Sequence, residues 1–191
     1  MTKQLFFKRF LANPGLIGAL CPSSPALCRE MIVGINIECA EAVIELGPGT
    51  GAITDEILTS LRFGAKFIAV ELDHKMYEDL KKTRPHVHIV NDSAENLPEI
   101  MKNAEVKHLN AVISGLPWAA FPAKLQKAIL GTIIESLAPD GYFTTFAYLQ
   151  GLLLPAGQRF RKLLKNSFRE VNVSRVVWQN VPPAIVYRCR K

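Results

Sequence analysis

The sequence is poor in the features that mark several common protein classes. Its 191 residues include four cysteines, Cys21, Cys28, Cys39 and Cys189, and no CxxC pair. That is too few, at too irregular a spacing, for a disulfide-stapled module, so reduced thiols are expected. The four histidines, His74, His86, His88 and His108, show no ligand spacing with those cysteines. His86 and His88 read as sharing one strand face but lack a third ligand, so no metal site is expected. There is no Ser/His/Asp set and no phosphate-cradling Walker loop. Long hydrophobic runs are missing too. The stretches 111–122 and 149–156 are broken by Gln, Ser, Gly or Pro, well before the ~18–20 residues of a spanning helix. Lys8 and Arg9 interrupt the apolar run 5–11, and Pro22 closes 16–21, which argues against a signal peptide. The expectation is a cytoplasmic protein that at most lies on a membrane surface, peripheral at its inner face.

What is present is a core. Half the chain is apolar (49%) and a fifth is charged (21%), which excludes disorder and suits one packed domain. The net charge of +6 is unevenly placed. Residues 158–191 carry nine Lys/Arg against the single acid Glu170, a net of +8, and the first 157 residues therefore sum to −2. Such a segment is either a solvated basic face or an attractor of polyanions, whether nucleic acid or an anionic bilayer.

After residue 40 two kinds of segment alternate. Residues 42–46, 66–71, 86–91 and 110–114 are short, apolar and bounded by Gly, Asp or Pro, as buried strands are. Residues 50–63, 74–83 and 123–137 show helical spacing, and a turn at 138–141 precedes a fifth strand, 142–148. This rhythm predicts an α/β fold with a mostly parallel sheet wrapped by helices. The end of the chain departs from it. Segments 170–178 and 184–190 both read as strands, and a link of 179–183 is too short for a crossover helix, so it makes an antiparallel hairpin. The first 40 residues stand apart as an N-terminal helical segment, with 41–191 as the main body of a single globular domain. Phe6, Phe7, Phe10 and Leu11 share one side of a short helix that also carries Lys3, Lys8 and Arg9, and Ser24-Pro25 reads as the cap of a second helix, 25–33. The aromatic helix either packs on its own domain or acts as a lid or membrane contact.

The strand 42–46 runs into Gly47-Pro48-Gly49-Thr50-Gly51 and then a helix. Glycines allow a sharp turn and close ligand approach, and a helix N-terminus offers N–H groups to an anion. The glycines alone also fit a dinucleotide fingerprint. Acids at successive strand ends narrow the reading. Glu45 precedes the glycines, placed to hold an ammonium directly or through water. Glu71 ends the second strand, where it can take ribose hydroxyls, and Asp92 follows the third, where it can accept from an adenine amino group.

On these residues the chain resembles the class I methyltransferases, whose Rossmann-like, seven-stranded, mostly parallel sheet ends in an antiparallel hairpin. The resemblance implies S-adenosylmethionine as cofactor. It implies Gly47, Pro48, Gly49, Thr50 and Gly51 around the methionine end, Glu71 at ribose and Asp92 with Ser93 at adenine. Leu72 and Ala94 would be adenine-pocket walls.

Ser114-Gly115-Leu116-Pro117-Trp118 follows the fourth strand, at the carboxyl edge where an open α/β sheet places its chemistry. The rRNA adenine dimethylases carry Asn-Leu/Ile-Pro-Tyr/Phe here, and Ser114 stands in place of their amide. The chain is more similar to bacterial phospholipid N-methyltransferases, which convert phosphatidylethanolamine to phosphatidylcholine. The likeness covers Phe10-Leu11, Pro14, Gly18–Ser23, Glu45–Gly51, Ser114–Pro117, Leu137–Gly141, Phe146–Tyr148, Val177–Ala184 and Val186-Tyr187. One departure is Trp118-Ala119-Ala120, where relatives commonly have Leu-Leu-Asn.

The resemblance implies in-line transfer of a methyl group to a neutral lipid amine, for which alignment and exclusion of water matter most. Candidate positioning groups are Ser114, the Leu116 and Pro117 carbonyls and Tyr148, with Trp118 as a cation–π face. No general base is evident. The implied partners are a phospholipid substrate and an anionic membrane surface, docked through Lys3, Lys8 and Arg9 with Phe6, Phe7 and Phe10. The rival readings are an RNA adenine N6-methyltransferase or small-molecule methyltransferase, and a non-catalytic nucleotide-binding protein.

Overall fold

The computed structural model describes residues 22–191, so the aromatic, basic helix expected over the first dozen residues lies outside the described residues. The chain enters through α1 (Pro25–Ile32), whose N-cap Ser24 accepts from the Leu27 N–H and whose first residue is proline, as expected from Ser24-Pro25. Seven strands follow: β1 (Ala42–Leu46), β2 (Lys66–Glu71), β3 (His88–Asn91), β4 (Leu109–Ser114), β5 (Leu137–Tyr148), β6 (Glu170–Val173) and β7 (Ala184–Arg190). The connecting helices are α2 (Ala52–Ser60), α3 (His74–Thr83), α4 (Leu97–Asn103), α5 (Ala123–Ser136), α6 (Leu149–Leu152) and α7 (Pro155–Ser167). The sheet runs β3-β2-β1-β4-β5-β7-β6. All neighbours from β3 to β5 pair in parallel, and β7 runs antiparallel to both β5 and β6.

Alternation along β1 explains the layering. Val43 joins the core under α1, α2 and α3, while Ile44 and Leu46 join the core under α4, α5 and α7. A strand covered on both faces reads as a nearly continuous apolar run; every residue of β1 is buried, and Glu45 is the one polar side chain in it. Residues 25–40 contribute Leu27, Met31, Ile35 and Ile37 to the first of these cores.

Several boundaries differ from the sequence reading. The strand expected over 86–91 starts at His88, because the Val87 N–H closes a turn onto the Arg84 carbonyl around Pro85; His86 and His88 therefore do not share a strand face. The helix expected over 50–63 is confined to Ala52–Ser60 by Gly51, left-handed at φ +83° at its N-cap, and by Leu61 capping onto Ile57. The turn expected at 138–141 is absorbed into β5 as an irregularity. Leu109 pairs with Leu137 and Ala111 with Tyr142, with Asp140 at φ +62° taking up the excess chain. The strand expected over 170–178 stops at Val173. Ser174 still bonds Val186, but the next bridge joins Val177 to Ala184, so the outer strand gains a residue and bulges.

Candidate functional site

Strand order reverses between β2-β1 and β4-β5, so the loops after β1 and β4 diverge and leave a crevice at the carboxyl edge of the sheet. The loops are locked together at its base. The Gly115 N–H donates to the Leu46 carbonyl at 2.8 Å, and a Cβ added at Gly115 would lie 2.5 Å from the Gly47 carbonyl oxygen. Gly47 itself is left-handed at φ +73°, with the Leu116 side chain where its Cβ would be. Only glycine fits at either position.

Two cavities meet over this contact, sharing Gly47, Glu71 and Leu116. The larger, about 510 Å³, is lined by Leu72, Asp92, Ser93 and Ala94 on one side and by Phe121, Leu125 and Ile129 on the other. That is the size range of small-ligand sites. The smaller, about 170 Å³, runs from Pro48, Gly49 and Thr50 past Pro117 and Trp118 to Tyr148, Phe160 and Tyr187, with Pro22 and Ser23 at its rim. Apart from Glu71, its walls carry no carboxylate.

Glu71 is 2% exposed. Its Oε2 accepts from the Gly49 N–H at 3.1 Å and its Oε1 from the Asp73 N–H at 2.9 Å. Burial raises its pKa, and these N–H donors oppose the rise. The Asp92 Oδ1 accepts from Asn96 Nδ2 at 2.7 Å. Glu45 lies beneath the glycine loop and is completely buried. Its Oε2 accepts from the Thr54 hydroxyl at 2.6 Å, while its Oε1 has no partner among the described residues. Burial pushes its pKa up from 4.5 to about 8, against the Thr54 hydrogen bond and with a further rise from Glu71.

A buried, unpartnered carboxylate oxygen under a glycine loop is costly unless a ligand's cation answers it. A Cβ added at Gly49, φ +56°, would meet nothing within 4 Å, so the backbone here borders open space. These residues fit a ligand with an ammonium at one end and an adenosine at the other.

The remaining candidates separate by depth. Ser114 is fully buried, and its Oγ accepts from Trp118 Nε1 at 3.1 Å and from the Leu116 N–H at 3.3 Å. It therefore braces the loop from below. Trp118, expected as a cation–π face, is 3% exposed and stacks on Phe160 at 4.4 Å, with Phe121 and Phe143 at its edges, while still lining the smaller cavity. The Leu116 and Pro117 carbonyls each already accept one backbone N–H, from Trp118 and Ala120. Tyr148, the last residue of β5, stands on the cavity wall against Phe146.

Three parts of the site escaped the sequence reading. The Arg84 guanidinium lies where a Gly51 Cβ would be, and its Nε and Nη2 donate to the two Asp55 oxygens at 2.7 and 2.6 Å. Gln126 Nε2 donates to the carbonyls of Trp118 and Ala156, tying α5 to the loop and to α7. Tyr187 lines the smaller cavity, and only its place in Val186-Tyr187 pointed towards it.

Comparison with known proteins supplies the family and the fold. A methyltransferase-domain family model matches residues 43–141. An ornithine lipid N-methyltransferase from Singulisphaera acidiphila is 31% identical over 97% of the chain and 94% of its own length. A ribosomal RNA small subunit methyltransferase A from Ureaplasma urealyticum is 30% identical over 60% of the chain, and the match spans 41% of that protein. Among solved structures, an O-methyltransferase from Bacillus cereus in complex with SAH superposes with a TM-score of 0.70 at 12% identity, over 99% of this chain and 92% of that one. At that identity the likeness is one of fold.

Proposed function

Because the chain belongs to the methyltransferase-domain family and takes S-adenosylmethionine as its methyl donor, we propose that it N-methylates the amine of a lipid headgroup. The two acceptors to compare are phosphatidylethanolamine, converted towards phosphatidylcholine, and ornithine lipid. One observation carries the reading. The similarity to a lipid N-methyltransferase runs nearly end to end and takes in the region beyond 141, whereas the ribosomal RNA methyltransferase shares only part of the chain.

The cofactor, when bound, supplies a methyl group already activated on a sulfonium, so the protein's work is alignment and desolvation. In this reading Glu45 Oε1 answers the ammonium of the methionine end, directly or through water, and Gly47 to Gly51 let the backbone approach it. Glu71 takes ribose hydroxyls. Asp92, with Ser93, Leu72 and Ala94, forms the adenine pocket. Leu116, Pro117, Trp118 and Tyr148 border the acceptor amine, while Ser114 holds that loop from beneath. An ammonium entering the smaller cavity loses its proton readily, because burial disfavours the charged form. Glu71, the carboxylate in that wall, is already engaged by two N–H groups and is not placed as a base. Among the described residues no helix is long and apolar enough to cross a membrane. The reading places the protein on the cytoplasmic face of the inner membrane, as a peripheral enzyme.

The test uses methyl-labelled S-adenosylmethionine with phosphatidylethanolamine, ornithine lipid and unmodified rRNA offered separately. Label in either lipid is the expected result, and chromatography of mono-, di- and trimethyl products counts the transfers. Label in RNA alone overturns the proposal.

A further inference from the structure

Large apolar side chains that face solvent are few among the described residues, and four of them belong to two segments beside the mouth of the smaller cavity. Leu153 and Leu154 follow directly on Gly151 and Leu152, which line that cavity. Trp178 and Val181 lie on the connection from β6 to β7. That connection is anchored at the same carboxyl edge of the sheet. The Leu149 N–H donates to the Pro183 carbonyl at 3.0 Å, and the Ser24 N–H donates to Asn180 Oδ1 at 2.9 Å, next to the rim residues Pro22 and Ser23. Asn180 is buried by this contact, so Trp178 and Val181 project from a fixed loop.

Charge accompanies the apolar residues. The helix after Leu153 and Leu154, α7, carries Arg159, Arg161, Lys162 and Lys165 and no acid. These four and Arg175 are exposed, and none forms an ion pair among the described residues. By contrast, Arg188 pairs with Glu30, and Arg169 and Arg190 share Asp140. A nucleic acid would use the cations but gain little from exposed leucine and valine. An anionic bilayer uses both, since aliphatic and indole groups enter the interface while Lys/Arg meet the phosphates.

We propose that this face docks on an anionic lipid bilayer, with Leu153, Leu154, Trp178 and Val181 in the interface and Arg159 and Arg175, the unpaired cations nearest the carboxyl edge, at the phosphates. The cavity mouth then opens onto the headgroups. The inference rests on the lipid-acceptor reading above, and it names the surface that presents the enzyme to its substrate.

The chain contains two tryptophans. Trp118 is 3% exposed and Trp178 is 70% exposed, so Trp178 is a native reporter. The full-length protein is mixed with vesicles of phosphatidylglycerol and phosphatidylcholine that contain no amino lipid. The expected result is a blue shift of tryptophan emission, quenching by bromine-labelled acyl chains, and weakening as salt is raised. Trp178→Phe abolishes the shift and leaves the Trp118 emission. The double variant Leu153→Glu with Leu154→Glu lowers vesicle partitioning by roughly tenfold or more, while calorimetric cofactor affinity stays unchanged as the check on folding.

Vesicle binding without quenching of Trp178 overturns the proposal, because the protein then docks through another surface such as residues 1–21. A shift with RNA and none with vesicles also overturns it. The two readings fail separately. Methylation of micellar amino lipid without Trp178 quenching removes this surface and keeps the lipid acceptor. Quenching without methylation of any amino lipid does the reverse.

Discussion

Replacing Glu45 by Gln tests the electrostatics of the cofactor site, and the structure sets the size of the effect. Glu45 is fully buried with its pKa near 8, so without ligand it is mostly protonated at neutral pH. Receiving an ammonium at Oε1 requires the carboxylate. One pH unit below that pKa about a tenth of the molecules carry it, and two units below about a hundredth. The apparent dissociation constant therefore weakens about tenfold per unit as pH falls from 8 towards 6, in proportion to the competent fraction. Gln keeps the shape and can still accept from the Thr54 hydroxyl, but it has no charge. A hydrogen bond to a charged partner contributes about 1.5–3 kcal/mol, so above pH 8 the variant should bind roughly 10- to 150-fold more weakly. Near pH 6, where wild-type Glu45 is itself neutral, the two affinities should converge. Isothermal titration of S-adenosylmethionine into both proteins across this range gives the ratio, and titration of the ligand's own amine cancels in it. A ratio that is constant with pH, or equal affinity at pH 8.5, would refute the reasoning.

The same residue makes a stability prediction with a definite sign. The folded pKa is raised above the ordinary 4.5, so between about 4.5 and about 8 the folded chain holds a proton that the unfolded chain releases. This contribution is fully present below 4.5 and is lost as pH rises, at about 1.4 kcal/mol per unit. Thermal melts without ligand should accordingly show Glu45→Gln gaining on wild type at pH 8 and matching it near pH 5. Gly115→Ala forces a Cβ against the Gly47 carbonyl oxygen; it should cost about 1–3 kcal/mol in denaturant titration and weaken cofactor binding with it. Gln126→Leu removes two buried hydrogen bonds that hold the loop at Trp118 and the start of α7. About 2 kcal/mol of stability should go, with kcat/KM for the acceptor falling more than cofactor affinity.

Much of this protein is legible in its sequence because its local signals agree. β1, β2 and β7 match the sequence reading residue for residue, the first two as nearly continuous apolar runs bounded by turn formers and the third because the short link before it dictates a hairpin. α3 matches as well, because Asp73 caps it through the Met76 N–H and the chain turns at Pro85. The left-handed glycines after β1 were legible because a strand feeding a helix there needs positive φ. Three helices were not, the four-residue α6 being too short to show a period. α4 is short and continues from a single 3₁₀ turn, and α7 presents only Gly157, Phe160 and Leu164 to the core, so its basic face hides the apolar period.

What the sequence by itself determined was the alternation of strands and helices, the final hairpin, and a glycine loop flanked by acids at three strand ends. Those follow from periodicity and backbone conformation, which are properties of neighbouring residues. What only the tertiary structure decided was which groups face the cavities and which lie beneath them. Trp118 reads in sequence as a cation–π candidate, and it shows the cavity little of its ring because Phe160, 42 positions later, stacks on it. Ser114 and Glu45 stand out in the sequence, but that both are fully buried shows only once the β1 and β4 loops close over them. Arg84 reaches Gly51 from the end of α3. Depth, partnership and pKa arise from contacts between residues far apart in the chain, and burial, not residue type, leaves Glu45 with one oxygen unanswered.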